Sequence, residues 1–415
     1  MAETIVLQNA TVFDSTGREP YGPGTVVVEG DRIAAVGPSS QVPTPRDARV
    51  IDGAHYTVMP GLIDAHTHVG AVDNSFGSNF EDNHPGAIYA FSVARILRET
   101  LMAGFTTIRD AGGCDYSFKV AVQSGVIPGP RIFTSQAFIS QTGGHGDMRQ
   151  RHDCADPRPG HRLAPRPAIA DGVPQVRQAA REQLRTGADQ IKIMAGGGAA
   201  SPTDPLDSPQ YTVEELAAAV YEARAVKKRV MAHVYVPEGI RNCAEAGVRS
   251  IEHGNFLDEE TASLMRENDM YLVPTLTVYD LIAERGREQG ISEVTIEKIN
   301  QARGAGRQSV EIAMAAGVNI ASGADLFGQN YGLKAVELEL KANVMGQVAS
   351  LVSATRTNAE LLERANQIGT LEPGKLADLI MVRGNPVEDI TILQDADNIP
   401  LVMQAGRIVK WEEQG

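Results

Sequence analysis

The chain is poor in the features that would brace it covalently or draw it to a polyanion. It has only three cysteines, Cys114, Cys154 and Cys243, widely spaced and without a Cys-x-x-Cys pair. That argues against a disulfide framework and against a zinc ribbon. Positive charge is in deficit: 38 Lys and Arg against 52 Asp and Glu leave a net charge of −14. A nucleic-acid partner would normally leave a basic footprint, so none is expected. No apolar run reaches the length of about 18 residues that a membrane-spanning helix needs. The opening MAETIVLQNATVFD lacks the basic and apolar regions of a signal peptide. A cytoplasmic location is therefore expected, with a signal removed upstream of Met1 left open. Internal repeats and low-complexity segments are absent too.

What is present fits a soluble enzyme. Hydrophobic residues make up 42% and charged residues 22% of 415 residues. That length suits a barrel of roughly 250 to 300 residues plus a smaller companion domain. Both ends of the chain are rich in β-branched runs. Thr4–Phe13, Gly24–Glu29 and Arg32–Val36 read as strands, with Gly30-Asp31 as a hairpin turn. Asp378–Val382 and Pro400–Val409 read the same way, the second broken by Ala405-Gly406. Each end alone would be marginal, so one small β-sandwich built from residues 1–58 and 368–415 is expected.

Between them, in 59–367, strands alternate with helices. Expected strands are Val58–Ala65, Thr106–Asp110, Arg131–Ser135, Gln190–Met194, Arg229–Val234, Ser250–His253, Leu272–Thr275 and Asn319–Ser322. Expected helices include His84–Ala103, Val173–Thr186, Thr212–Val226 and Ile291–Ala316. The pattern is α/β, and it fits either a (β/α)8 TIM barrel or a doubly wound sheet. A doubly wound nucleotide-binding protein is the poorer match, because Gly196-Gly-Gly198 is not a Gly-x-Gly-x-x-Gly turn. Gly143–Pro167, rich in Pro, Arg, His and Asp, reads as a long loop over the barrel mouth.

Polar residues at the strand ends favour the barrel. The first strand ends Asp64-Ala65-His66-Thr67-His68, and residues two apart on a strand share a face. Lys192 lies inside an apolar run, while His233, His253 and Asp325 close three later strands. Barrel enzymes place catalytic residues at this end. Four imidazoles and a carboxylate suit zinc or a similar divalent ion. A charged ammonium cannot ligate a metal. A buried lysine, however, favours the neutral amine, which can take up carbon dioxide as a carbamate. Such a carbamate on Lys192 would bridge two divalent ions. Any one of these residues alone has an ordinary structural reading; the coincidence of five strand ends carries the inference. Asp64 and Glu252 sit beside ligands, and only Asp64 shares a face with its neighbouring histidine.

These residues resemble the signatures of the amidohydrolase superfamily. Pro60-Gly-Leu-Ile-Asp-Ala-His-Thr-His68 is similar to its opening motif. Ile-Lys-Ile-Met194, Ala-His-Val-Tyr235, Ser-Ile-Glu-His-Gly254 and Ser-Gly-Ala-Asp325 are similar to its later stations. Gly369-Thr-Leu-Glu-Pro-Gly-Lys-Leu-Ala-Asp-Leu379 is similar to the re-entry into the small β domain. Gly143-Gly-His-Gly-Asp147, His233-Val-Tyr235 and Arg241 resemble the branch of imidazolonepropionase-like proteins, prolidases and carboxypeptidases for dipeptides and N-acyl amino acids. Bacterial ochratoxin-hydrolysing amidohydrolases fall in that branch.

The resemblance implies that His66, His68 and Asp325 hold the more buried metal and His233 and His253 the more exposed one. It implies cleavage of the amide to a C-terminal amino acid, with ring opening of cyclic amides or deamination as the alternative on the same centre. A homo-oligomer and a small-molecule substrate are expected with it. In this scheme Asp325 also moves the proton. His145 donates to the oxyanion, or is merely a surface loop residue. Tyr235 binds substrate, or packs at the rim. Arg241 clamps the substrate α-carboxylate, or is a solvated helix residue.

Overall fold

The structure is a computed structural model that describes residues 3–73, 84–147, 149, 163, 165–201 and 204–412. The two β-rich ends meet in one eight-stranded sheet. Its strands are Thr4–Val12, Tyr21–Glu29, Arg32–Pro38, Arg49–Asp52, Tyr56–Pro60, Leu379–Arg383, Leu401–Gln404 and Arg407–Trp411. The join is the antiparallel pairing of Tyr56–Pro60 with Leu379–Arg383, with Val58 opposite Met381. Ile5, Leu7, Val26, Val28, Val58, Leu379 and Met403 contribute to one shared buried cluster from both ends. Burying those side chains together removes them from water, and neither end could do so alone.

The single strand expected over Val58–Ala65 is two strands. Tyr56–Pro60 belongs to the terminal sheet and Leu62–Thr67 opens the parallel part. The break falls at Gly61, where a β-carbon would lie 2.3 Å from the Thr106 hydroxyl. Gly61 N donates to Asp378 O and Leu62 N to Gly104 O, so the chain changes sheets across one peptide.

The middle of the chain is α/β with parallel strands. Leu62–Thr67, Phe105–Asp110 and Arg131–Thr134 form one run. Ile139–Ser140, Ile191–Met194, Val230–Val234, Ser250–His253, Tyr271–Val273 and Asn319–Ile320 form another, with Ala168–Ile169 at its edge. Backbone hydrogen bonds cross both gaps between the runs. Asp189 N donates to Thr134 O at 2.7 Å, and Ala65 N donates to Ser322 O at 2.8 Å. Helices separate the strands at their expected places: Gly86–Met102, Gly172–Arg185, Val213–Ala225 and Glu293–Ala316. Thr212 and Glu215 form a capping box that starts the third of these. Most of the Gly143–Pro167 loop lies outside the described residues.

One side chain ties the last parallel strand to the first. Asn358 donates through Nδ2 to Ile63 O and Ser322 O, at 2.6 and 2.8 Å, and accepts from Ser322 N at 3.0 Å. It is fully buried. Truncation removes the acceptor of the Ser322 amide and a donor to Ile63 O, while Ser322 O keeps the Ala65 amide; groups stripped of a partner are costly in the interior. Asn358→Ala is expected to lower unfolding free energy by about 2–4 kcal/mol in urea titrations; a loss below about 0.5 kcal/mol would remove this link from the account.

Candidate metal centre

Four parallel strands and the segment after a fifth deliver the expected residues. His66 lies in Leu62–Thr67, Lys192 in Ile191–Met194, His233 in Val230–Val234 and His253 at the end of Ser250–His253. Asp325 follows Asn319–Ile320, and its amide donates to His66 O at 2.9 Å. His66, His68 and Asp325 form one group whose ligand atoms lie within 4.8 Å of one another. Asp325 Oδ1 is 3.6 Å from His66 Nε2 and 3.4 Å from His68 Nε2. The His253 ring centre is 5.1 Å from that of His66 and 4.5 Å from that of His233. The imidazoles are therefore one contiguous cluster.

His253 and Asp325 both take left-handed backbone, with φ of 76° and 53°. For residues other than glycine this conformation is strained and is concentrated at functional sites. Gly323 completes the close packing: a β-carbon there would fall 2.5 Å from His66 Cβ.

The polar atoms have a specific accounting. His66 Nδ1 donates to Glu252 Oε2 at 2.7 Å, and His68 Nδ1 to Gly112 O at 2.8 Å. His233 Nε2 donates to Gly197 O at 3.0 Å, and His253 Nδ1 lies 2.7 Å from Thr275 Oγ1. A carbonyl oxygen can only accept, so the tautomers of His68 and His233 are fixed by their partners. Each ring thus has one nitrogen held by the protein and one lone pair left over. His66 Nε2 and Asp325 Oδ1 are buried with no hydrogen-bond partner at all. A divalent cation is the group that fits this donor set of imidazoles and carboxylate.

Electrostatics agree with that fit. Burial, reinforced by the nearby Lys192 charge, holds His66 well below the usual imidazole range and His68 down to about 3. His233 and His253 are lowered well below it as well, again chiefly by burial. The rings are therefore neutral near pH 7, the form that can ligate a metal. Burial also pushes Lys192 down to about 8, toward the neutral amine, and Asp325 up to about 8, away from the carboxylate that a neighbouring cation's charge would restore. Lys192 is 1% exposed and has no ion-pair partner among the described residues.

Glu252 and Arg109 are the functional residues that sequence reasoning under-read. Glu252 reaches the His66 ring across 186 positions of chain. Ser250 and Arg109 fix it in turn: Arg109 Nη2 donates to both carboxylate oxygens, at 2.9 and 3.0 Å, and Ser250 Oγ to one at 2.5 Å. Strand alternation says that Glu252 and His253 face opposite ways. Alternation ends at His253, whose left-handed φ lets both consecutive residues reach His66. Asp64 touches no ring; it accepts from the His66 and Ala324 amides and from Lys334 Nζ.

His145 stacks on His233 with ring centres 4.1 Å apart, and its Nδ1 is held by Ser201 Oγ at 2.8 Å. A β-carbon on Gly198 would lie 1.8 Å from that nitrogen, so glycine there makes room for the ring. Burial lowers His145 to about 4. Tyr235 lies edge-on to His233 at 4.9 Å and accepts from Tyr279 Oη at 3.0 Å. Arg241 takes part in none of these contacts. Its guanidinium meets Glu260 at 3.3 Å and Asp258 at 3.9 Å.

Comparisons with known proteins point the same way. The profile of the Amidohydrolase family matches residues 57–409. Ochratoxinase of Aspergillus niger is 34% identical over 412 residues, covering 94% of this chain and 84% of that protein. A prolidase solved with N-methylphosphonate-L-proline superposes with a TM-score of 0.93 at 40% identity, over 99% of this chain and 100% of that one. A Xaa-Pro dipeptidase with bound methionine gives 0.87 at 30% identity, over 98% and 100%.

Removing the buried acceptor beneath His66 tests how that ring is held. Glu252→Gln is expected to weaken zinc binding by about 10–100-fold, read by competition with a chromogenic chelator. Unaltered affinity would mean that the Glu252 contact does not orient His66.

Proposed function

The chain belongs to the amidohydrolase family and hydrolyses amide bonds, and we propose that its substrates are dipeptides and N-acyl amino acids, cleaved at the amide to the C-terminal amino acid. Ochratoxin-type amides fall within that class. The observation that carries the reading is the pair of orphaned atoms, His66 Nε2 and Asp325 Oδ1, buried side by side at the strand ends. The kinship with a prolidase and an ochratoxinase, both at 30% identity or more, supports the substrate class. In this reading the parallel strands close as a (β/α)8 barrel over 59–367, beside a small β-sandwich of 1–58 and 368–415. The hydrogen bonds across both gaps support closure. A homo-oligomer in the cytoplasm completes the proposal.

His66, His68 and Asp325 would hold one divalent ion, zinc by donor type, and His233 and His253 a second. A carbamate formed on neutral Lys192 would reach both. Such ions, when bound, lower the pKa of water and polarise a carbonyl. The rest falls to the side chains. Asp325 takes the proton of the attacking water and returns it to the amine nitrogen as the carbon–nitrogen bond breaks, giving a carboxylic acid and a free amine. His145 would present Nε2–H to the developing oxyanion in the tautomer whose Nδ1 accepts from the Ser201 hydroxyl, which then gives up its bond to Gly198 O. Tyr235 accepts from the Tyr279 hydroxyl and the Ala199 amide, which leaves its own proton for a substrate oxygen. Arg241 enters only in restricted form. Its fork is held by Glu260, so it clamps a substrate carboxylate only when that pair opens.

Amine release from a library of dipeptides and N-acyl amino acids, with hydantoins and purines as contrast, tests the class. Turnover is expected on the first two sets, lost on exhaustive chelation and restored by zinc. Turnover confined to cyclic amides or purines would overturn the assignment. His145→Ala is expected to lower kcat by about 10²–10³-fold, the usual size for an oxyanion donor. Arg241→Ala raises KM for substrates with a free carboxylate; an unmoved KM removes Arg241 from the site. Intact-mass measurement under native conditions is expected to show a carbon dioxide adduct that Lys192→Ala abolishes.

A further inference from the structure

A cavity of about 240 Å³ lies at the opposite end of the parallel strands from the histidines. Its walls come from the beginnings of strands: Asp189 and Gln190 before Ile191–Met194, Lys227 to Met231 around the start of Val230–Val234, and Arg249 before Ser250–His253. Leu361–Arg364 closes it from below. In a chain of net charge −14 this space is cationic. Arg109, Lys227, Lys228, Arg229, Arg249 and Arg364 line it, against only Asp189 and Glu363.

Pairing accounts for half of those cations. Arg109 is paired with Glu252, Arg229 with Glu363 at 2.6 Å, and Arg249 with Asp269 at 2.9 Å. Asp189 is engaged by Lys119 at 2.7 Å. Lys227, Lys228 and Arg364 are left with no carboxylate within ion-pair distance among the described residues. Lys228 Nζ donates to the Ala188 carbonyl, and Arg364 donates to the Glu363 carbonyl at 3.0 Å while lying over the Phe133 ring. Arg249 Nε, in the same wall, is buried with no partner. The exposed Lys227, the half-buried Lys228 and Arg364, and one idle buried N–H in the same wall offer donors suited to a compact multivalent anion.

We propose that this cavity is a binding site for a small divalent oxyanion of the phosphate class. The site is separate from the metal ligands; Arg109 alone is shared with the network behind His66, and it stays paired with Glu252, so the proposal stands whatever substrate the enzyme cleaves. An anion there accepts charge-assisted hydrogen bonds from cations that line one cavity without a carboxylate at ion-pair distance. A monovalent anion would balance only a third of the excess.

The test is calorimetric titration of inorganic phosphate into the metal-loaded full chain at constant ionic strength. Four proteins are compared: wild type, the double variant Lys227→Gln with Arg364→Gln, the single variant Lys228→Gln, and Asp325→Asn. Saturable binding is expected in wild type and in Asp325→Asn, weakened at least about tenfold in the double variant and in Lys228→Gln. Lys228→Gln alters one half-buried side chain and keeps the test decisive if the double variant fails to fold. Absence of binding in wild type overturns the proposal, as does equal binding in all four proteins. Loss confined to Asp325→Asn also overturns it, because phosphate would then be sitting on the metals.

Discussion

A buried imidazole nitrogen and a buried carboxylate oxygen that face each other with nothing to bond are costly. Each forfeits its hydration, and a protein interior normally pairs such atoms. In this chain His66 Nε2 and Asp325 Oδ1 are in that position, 3.6 Å apart. The surrounding structure is organised to keep them there. Arg109 and Ser250 hold Glu252, Glu252 holds the far side of the His66 ring, and the Asp325 amide is tied back to the His66 carbonyl. A divalent cation bound between the two orphaned atoms would offset that cost, because its charge would engage both together.

The backbone carries part of the same constraint. His253 and Asp325 are held in left-handed conformations where the strands end, and glycines at 198 and 323 leave space that any side chain would fill. Thr275, itself left-handed with φ of 49°, begins the Leu276–Arg285 helix and turns its hydroxyl to His253. Strain of this kind persists only where neighbouring contacts over-determine it. Here the contacts are the strand pairings, with Val234 beside His253 and Met194 beside His233. The fold thus gathers imidazoles and a carboxylate whose free lone pairs fit a divalent cation.

Much of this frame is legible in the sequence, and for stated reasons. Strand alternation puts His66 and His68 on one face, and a lysine within an apolar run announces Lys192. Short β-branched runs mark both chain ends. Local signals of that sort fix strand positions to within a few residues, as at Ser250–His253. They do not reveal Glu252 as the partner of His66. That contact spans 186 positions, and the alternation that would predict its direction fails at the left-handed His253. Arg109 and Asn358 escape for the same reason: their partners are backbone and side-chain groups brought near only by the tertiary fold. The split at Gly61 depends on a close approach to Thr106, which no periodicity reports.

The central claim is that six residues from five strand ends hold two divalent ions at one place. The most direct measurement is a crystal structure with anomalous diffraction recorded at the zinc edge. The account predicts two neighbouring peaks, one against His66 Nε2, His68 Nε2 and Asp325 Oδ1, the other against His233 and His253, with carbamylated Lys192 touching both. A zinc-loaded, active crystal with no peak in this cluster, or with its metal held elsewhere, would contradict it.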